Sequence, residues 1–268
     1  MQQLQSIIIL LLLACSGQLA FGQSESLTIP LSKTGSRGML EVVLHKGPIT
    51  IKGSDRSDVL VRYEQMNKVQ PGVHDQGDGL KKLSGGSLDL EISENNNHVE
   101  VRSDSWNSGT IINVEIPRNF DLKLYTYNDG NIYIENVDGV IEAESYNGKI
   151  DAMRISGSMV ANTYNGPIVA TFDRVDPEAP LAFSTYNGKV DISLPSSTKA
   201  DLRLKSDQGN IYTGFDVAID KTAPKTLTEK GNGTYKVKID EWIKGTINGG
   251  GPEIMIKNYH GDIYVRKE

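Results

Sequence analysis

From Leu27 onward, apolar and polar residues alternate over short runs: "LTIPLS", "MLEVVLH", "PITIKG", "DVLVRYE", "SLDLEIS", "HVEVRSD", "IINVEIP". Period-two alternation places every second side chain on one face, the pattern of a strand buried on one side. Helical periodicity is hard to find after residue 23. Residues 65–86, with "QPGVHDQGDGLKKLSGG", carry no periodicity and read as a flexible surface insertion. Residues 216–238 read as a longer excursion, and "INGGGPEIMIKNYHGDIYVRK" closes with two more strands.

Between about 121 and 213 the alternation becomes a repeat. Glycines fall at 130, 139, 148, 157 and 166, a step of nine, but the residues around them match at a step of 18: "SYNGKI" at 145 and "TYNGPI" at 163. Looser copies are "TYNGKV" at 185, "SDQGNI" at 206, "NYHGDI" at 258 and "HKGPITIKG" at 45. Ile141, Ala143 and Ser145 share one parity with Met159, Ala161 and Thr163, and Ile150, Ala152, Ile168, Ala170, Phe172, Val190, Ile192 and Leu194 form a second inner row. Asn-Gly between alternating strands is a strong hairpin signal, which points to an antiparallel β-sandwich or meander. A match at 18 instead favours an all-β parallel β-solenoid (β-helix), with coils of about 18–22 residues and capped ends, because residue i then lies over residue i+18 at a spacing of about 4.8 Å. The corner glycines would supply positive φ.

Composition narrows the setting. The 268 residues are 38% hydrophobic and 23% charged, enough apolar surface for a core, and the formal charge of −6 argues against nucleic acid and anionic membrane as main partners. Residues 1–22 differ from the rest. "SIIILLLLAC" is too short to span a bilayer, and with Ala20 and Gly22 ahead of Gln23 it reads as a secretory signal peptide, although "MQQLQS" lacks Lys and Arg. "LLAC" gives a second processing reading, a lipid anchor at Cys15. Cys15 is the only cysteine, so the mature chain has no internal disulfide. No second segment is long enough to be transmembrane. The remaining residues, 23–268, read as a single domain.

Candidate chemistry is sparse. Tyr127, Tyr146, Tyr164 and Tyr186 sit just before the glycine corners and, by parity, face outward with Glu142 and Glu144. Stacked coils would align them as a platform for sugar rings, which pack on aromatic faces; the plainer reading is that the rings stack on one another and stiffen the corner. Asn128, Asn147, Asn165 and Asn187 would form a second column, joined by side-chain amides. Two groups of acids, Asp129, Glu135 and Asp138, and Glu142, Glu144 and Asp151, prompt a test for paired carboxylates or calcium, but alternation spreads them over a solvated face. His45, His74, His98 and His260 lack metal-ligand spacing, and His45 and His260 read as corner residues in the same place of their repeats. Trp106 reads as a loop contact and Trp242 as packing at a cap. No nucleophile elbow or phosphate loop is present, so no cofactor or metal is expected.

"GPITIKGSDRSDVLVRYE", "VEIPRNFDLKLYTYNDGNIYIENVDGVIEAESYNGKIDA" and "GTINGGGPEIMIKNYHGDIYVRK" resemble the putative-adhesin domain of unknown function of bacterial exported proteins, over most of residues 40–268. The resemblance implies a right-handed β-solenoid on a cell-envelope protein and carries no catalytic residues. The resulting expectation is a non-enzymatic exported protein, in the periplasm, on the outer membrane or outside the cell, with an adhesive or structural role and glycans or cell-surface components as partners. A polysaccharide-active lyase or hydrolase, and an envelope scaffold or sensor binding a partner protein, are the alternatives.

Overall fold

The computed structural model describes residues 25–66, 89–106, 108–220, 226–231, 234–239 and 242–268. The signal segment, Cys15 and almost all of the 65–86 insertion lie outside the described residues. All regular secondary structure among the described residues is β, in one large sheet of mixed strand orientation and one separate hairpin, Thr226–Gly231 with Thr234–Ile239.

The strands on either side of Asn147-Gly148 do not pair with each other as a hairpin would. Asp138–Asn147 runs parallel to the second half of Ile150–Asn165, with Ile141 opposite Met159, Ala143 opposite Ala161 and Asn147 opposite Asn165. The first half of Ile150–Asn165 runs parallel to Ile168–Val175 instead, with Ile150 opposite Ile168 and Ala152 opposite Ala170. One 16-residue strand thus serves two rows of strands, and it turns between them at Arg154, a non-glycine residue at φ 52°. The register breaks there, between Ala152 and Ser156. Asn136, one repeat earlier, is at φ 58° and accepts a hydrogen bond from Arg154 Nε at 2.9 Å. Arg154 also pairs with Glu135.

A rung is here one strand from each row. Through the middle of the chain, rungs follow in sequence order: Phe120–Asn128, Asp138–Asn147, the second half of Ile150–Asn165, then Leu181–Asn187. At the ends they do not. The C-terminal strand Glu253–His260 lies between Leu181–Asn187 and Ala200–Gln208, parallel to both, and Ile263–Lys267 lies likewise between Val190–Leu194 and Ile211–Thr213. At the other end, Gly38–Lys46 lies between His98–Ser103 and Phe120–Asn128, and Ile49–Ser54 lies between Thr110–Pro117 and Ile132–Glu135. Copies of the repeat are therefore neighbours in space in an order different from that in the chain.

Outside these parallel rows the pairing is antiparallel, which corrects the expectation of a wholly parallel coil. Glu91–Asn95 adds to His98–Ser103, and Asp58–Gln65 then Glu25–Pro30 add to Thr110–Pro117. At the far end Ile243–Ile247 adds to Ala200–Gln208 and Ala218–Ile219 to Ile243–Ile247. Antiparallel strands there cover edges that a parallel row would leave open.

Both inner rows enter one core. Ile112, Ile49, Ile132, Ile150, Ile168, Val190 and Ile263 lie one over another just after the corner, all fully buried. The facing row contributes Val101, Val42, Leu124, Ala143, Ala161, Phe183 and Ile256. β-Branched residues suit this position because their stiff side chains pack well on a pleated surface.

Candidate functional site: the tyrosine ladder

The four residues of the repeated corner do four separate jobs. The first, Ser or Thr, points inward, and its hydroxyl donates to the corner glycine carbonyl of the neighbouring rung: Ser145 to Gly130, Thr163 to Gly148 and Thr185 to Gly166, each at 2.9 Å. A buried carbonyl at a corner is outside the strand ladder, so a side-chain donor stabilises it. Thr126 does the same for Gly47 and Ser206 for Gly261, while Asn258 donates to Gly261 at 2.6 Å and to Gly188 at 3.3 Å.

The second residue, Tyr, points outward. Tyr127, Tyr146, Tyr164 and Tyr186 form a stack with centroid spacings of 4.6, 5.0 and 4.8 Å and interplanar angles of 15°, 3° and 3°. The third, Asn, forms a directional amide ladder: Asn147 donates to Asn128 at 3.1 Å, Asn165 to Asn147 at 2.8 Å and Asn187 to Asn165 at 2.7 Å. The fourth is Gly because of close approach. A Cβ on Gly148 would lie 2.3 Å from the Gly130 carbonyl oxygen, and one on Gly166 would lie 2.2 Å from that of Gly148. Positive φ, the reason expected from sequence, applies at Gly47, Gly166, Gly188 and Gly261 but not at Gly130 or Gly148.

The stack is longer than the sequence reading made it. Tyr259, from the C-terminal rung, stacks on Tyr186 at 4.8 Å and 4°. The signal was present, since "NYHG" keeps Tyr two residues before Gly, as "TYNG" does. His260 occupies the Asn column, and His45 falls in the Tyr column, since Lys46 pairs with Asn128. His45 and His260 are therefore not equivalent, contrary to the sequence reading. At its near end the ladder meets Trp106, which is 60% exposed, sits edge-on to Tyr127 at 5.9 Å and lies 4.2 Å from the His45 ring. At the far end the column continues with Asp207, because Gln208 pairs with His260.

Tyr146, Tyr164 and Tyr186 are 39%, 42% and 40% exposed, yet each has a neighbouring ring against both faces. Solvent meets their edges. A sugar therefore cannot use the inner ring faces as separate stacking platforms. Beside the ladder runs a groove of about 410 Å³, walled by Tyr146, Tyr164, Tyr186 and Tyr259 and floored by Asn162 and Ser184. Tyr125 and Glu144 close one end, and Lys257 and Asp207 close the other. Burial raises the Tyr125 phenol above its ordinary value, with the Glu144 carboxylate adding to the effect, so Tyr125 stays a neutral donor there.

The acids do not converge. Asp129 pairs with Lys46 at 3.5 Å, Glu135 with Arg154, Asp138 with Arg174 at 3.0 Å and Asp151 with Lys149 at 3.1 Å. Among the described residues no group of three or more His, Cys, Asp or Glu is placed to hold a metal ion. Trp242 lies under the Arg203 guanidinium at 4.4 Å. A three-member charge cluster lies on the opposite row. Asp191, 8% exposed, accepts from Arg266 at 2.6 and 3.0 Å and from Lys189 at 3.1 Å. Burial would raise its carboxyl, but the bonds and charges of Arg266 and Lys189 outweigh it and hold the carboxyl below the ordinary Asp value. Near it, Tyr212 and Tyr264 stack at 5.1 Å and 13°.

No family model matches the chain, and no curated protein matches it. Among solved structures, it is similar to a "putative cell adhesion protein" from Clostridium sporogenes, at 9% identity and a TM-score of 0.44, over 92% of this chain and 100% of that one. It is also similar to a "putative adhesin" from Bacteroides fragilis, at 10% identity and a TM-score of 0.38, over 92% and 97%. Among the described residues, no helix is long and apolar enough to cross a membrane.

Proposed function

We propose that the chain is an exported, non-enzymatic β-solenoid of the cell envelope whose ladder face holds glycan chains. Residues 1–22 act as the export signal, with Cys15 as the lipid-anchor residue if processing stops there, and 23–268 form one domain. The parallel registers at 18 and 22 residues support the solenoid reading, and its right hand follows from the family resemblance.

The observation that carries the binding reading is the unbroken stack Tyr127–Tyr146–Tyr164–Tyr186–Tyr259 beside a shallow groove. A rigid wall of ring edges needs no ordering when a ligand arrives, so little conformational entropy is lost on binding. Recognition would come from the phenol hydroxyls, from Asn162 and Ser184 on the floor, and from the polar groups at the two ends, with each rung adding a weak contact. Asp129, Glu135, Asp138 and Asp151 are each taken up by a basic side chain, which weighs against their use as a catalytic pair in the hydrolase alternative.

A glycan and envelope-component array on the wild-type protein and on Tyr146→Ala/Tyr164→Ala tests this reading. Wild-type signal that disappears in the variant, with an unchanged circular dichroism spectrum, supports it. An array blank for the wild type, or a signal equal in both, rejects it. The mass of the mature N-terminus decides between cleavage after Gly22 and lipidation at Cys15.

A further inference from the structure

The geometry points to the tyrosine ladder as a site of oxidative cross-linking, at which neighbouring rungs are joined by dityrosine bonds. This proposal does not depend on glycan binding. Tyr127, Tyr146, Tyr164, Tyr186 and Tyr259 each have a second phenol within 4.6 to 5.0 Å, at 3° to 15° from parallel. The exposure of the three inner rings, 39% to 42%, leaves their edges open to electron transfer to an external oxidant. The only thiol in the sequence, Cys15, is far outside the ladder in the chain, so no cysteine lies on the ladder to take the oxidation instead.

The oxidant is hydrogen peroxide acting through a haem peroxidase. Each of two adjacent phenols gives up one electron and its hydroxyl proton, leaving a phenoxyl radical. Peroxide receives both electrons and both protons and leaves as two waters. The radicals couple through a carbon beside each hydroxyl-bearing carbon, forming one carbon–carbon bond. The hydrogen on each coupled carbon then moves to the neighbouring oxygen, which restores both aromatic rings.

Radical pairs in solution are limited by encounter. Here two radicals on adjacent rungs are already in contact, which replaces a bimolecular step by an internal one. Bond formation asks the rings to tip toward each other about their Cβ–Cγ bonds, and the exposed edges leave room for that. The bond would tie residues 18, 19 or 22 apart, or in the case of Tyr186 and Tyr259 join the chain's last rung to its sequence-remote neighbour. Like a disulfide, such a staple restricts the unfolded chain and so raises the thermal midpoint.

The test uses the full chain carrying Tyr212→Phe, which removes the separate Tyr212–Tyr264 pair of phenols. Dilute protein is treated with a haem peroxidase and hydrogen peroxide, and dityrosine is read by fluorescence and by mass spectrometry of linked peptides. The comparison variant adds Tyr146→Phe and Tyr186→Phe. It keeps the aromatic stack but leaves Tyr127, Tyr164 and Tyr259 with no adjacent phenol. Cross-links within the chain should form at a yield independent of protein concentration and at least about tenfold above the variant. Tyr164→Phe alone should abolish the Tyr146–Tyr164 and Tyr164–Tyr186 links while the Tyr127–Tyr146 and Tyr186–Tyr259 links persist. Equal yields in ladder and variant, links only between chains, or hydroxylated tyrosines without links would each overturn the proposal.

Discussion

The middle of the molecule and its two ends use the same rung but reach it by different routes. From Phe120 to Leu194 each rung follows the last at a step of 18 to 22 residues. At the C-terminal end, Ser184 lies beside Lys257, 73 residues away, while Lys205, much nearer in the chain, lies one rung further out. Closing the longer loop costs about 1 kcal/mol more than closing a step of 18 to 22. Burying Ile254, Ile256, Ile263 and Val265 in the gap gains roughly 1.5–3 kcal/mol for each side chain. Packing thus outweighs chain order. A rung is a slot that any stretch with the right corner can fill, and filling it from a remote stretch ties the end of the sheet to its middle.

That difference can be broken most severely at the intercalated rung. Ile256→Asp puts an unpaired charge in the core and should cost about 4 kcal/mol or more, read by denaturant melting. Contacts within a stacked array are mainly between neighbours, so amides of Asp138–Asn147 should keep their hydrogen-exchange protection while those of Ala200–Gln208 lose theirs. Simultaneous loss in both would show that ends and middle unfold as one unit.

The next effect should come from the corner glycines. Gly148→Ala, with its Cβ 2.3 Å from a fixed carbonyl, should destabilise by about 2–3 kcal/mol. Gly209→Ala meets Gly261 at 2.0 Å, but its rung has only one parallel neighbour and can shift, so the cost should be smaller in spite of the closer approach. Thermal melts of both variants compare the two regions directly.

Smaller again is the inner hydroxyl. Thr163→Val removes the donor to the Gly148 carbonyl and should cost about 1–2 kcal/mol by denaturant melting. On the amide ladder, Asn165→Ala breaks two bonds and Asn187→Ala one, so the first should cost about 1 kcal/mol and the second about half of that.

The smallest effect is a pH dependence of the junction itself. Asp191 belongs to the sequential middle and Arg266 to the returning strand. The folded-state carboxyl is held below its unfolded value, so its contribution is fully present above about pH 4 and is lost as pH falls through the lower folded value. Arg266→Met should therefore flatten the acid limb of the stability curve below about pH 4 and leave the shape near neutrality unchanged, as measured by melts across that range.

The rung itself was legible in the sequence, and its order was not. Alternation places Ile141, Ala143, Ile150 and Ala152 inside and Tyr146 outside because those facts are local. The Asn and Tyr columns follow once the match at 18 is taken as vertical stacking. "NYHGDI" carries the same local pattern as any other copy, and nothing in it states which neighbours it will join. Its place between Val190–Leu194 and Ile211–Thr213 is decided by long-range packing. For the corner glycine, the sequence reading of positive φ holds at Gly47, Gly166, Gly188 and Gly261, and the second constraint was missed for a related reason. Close approach to Gly130 depends on the adjacent rung, whereas a φ preference can be guessed from one residue. Trp106 and His45 at the near end of the ladder were missed together, because they come from different rungs and meet only in space.

Distances across the C-terminal junction test the central claim directly. Spin labels at Ser184→Cys with Lys257→Cys, and at Ser184→Cys with Lys205→Cys, can be placed in a Cys15→Ser background. Adjacent parallel strands are about 4.8 Å apart, so the backbone separation should be about one strand spacing for 184–257 and about two for 184–205. The shorter label distance for 184–257 is the predicted result. A shorter distance for 184–205 would mean that the rungs follow chain order to the end and would contradict the account.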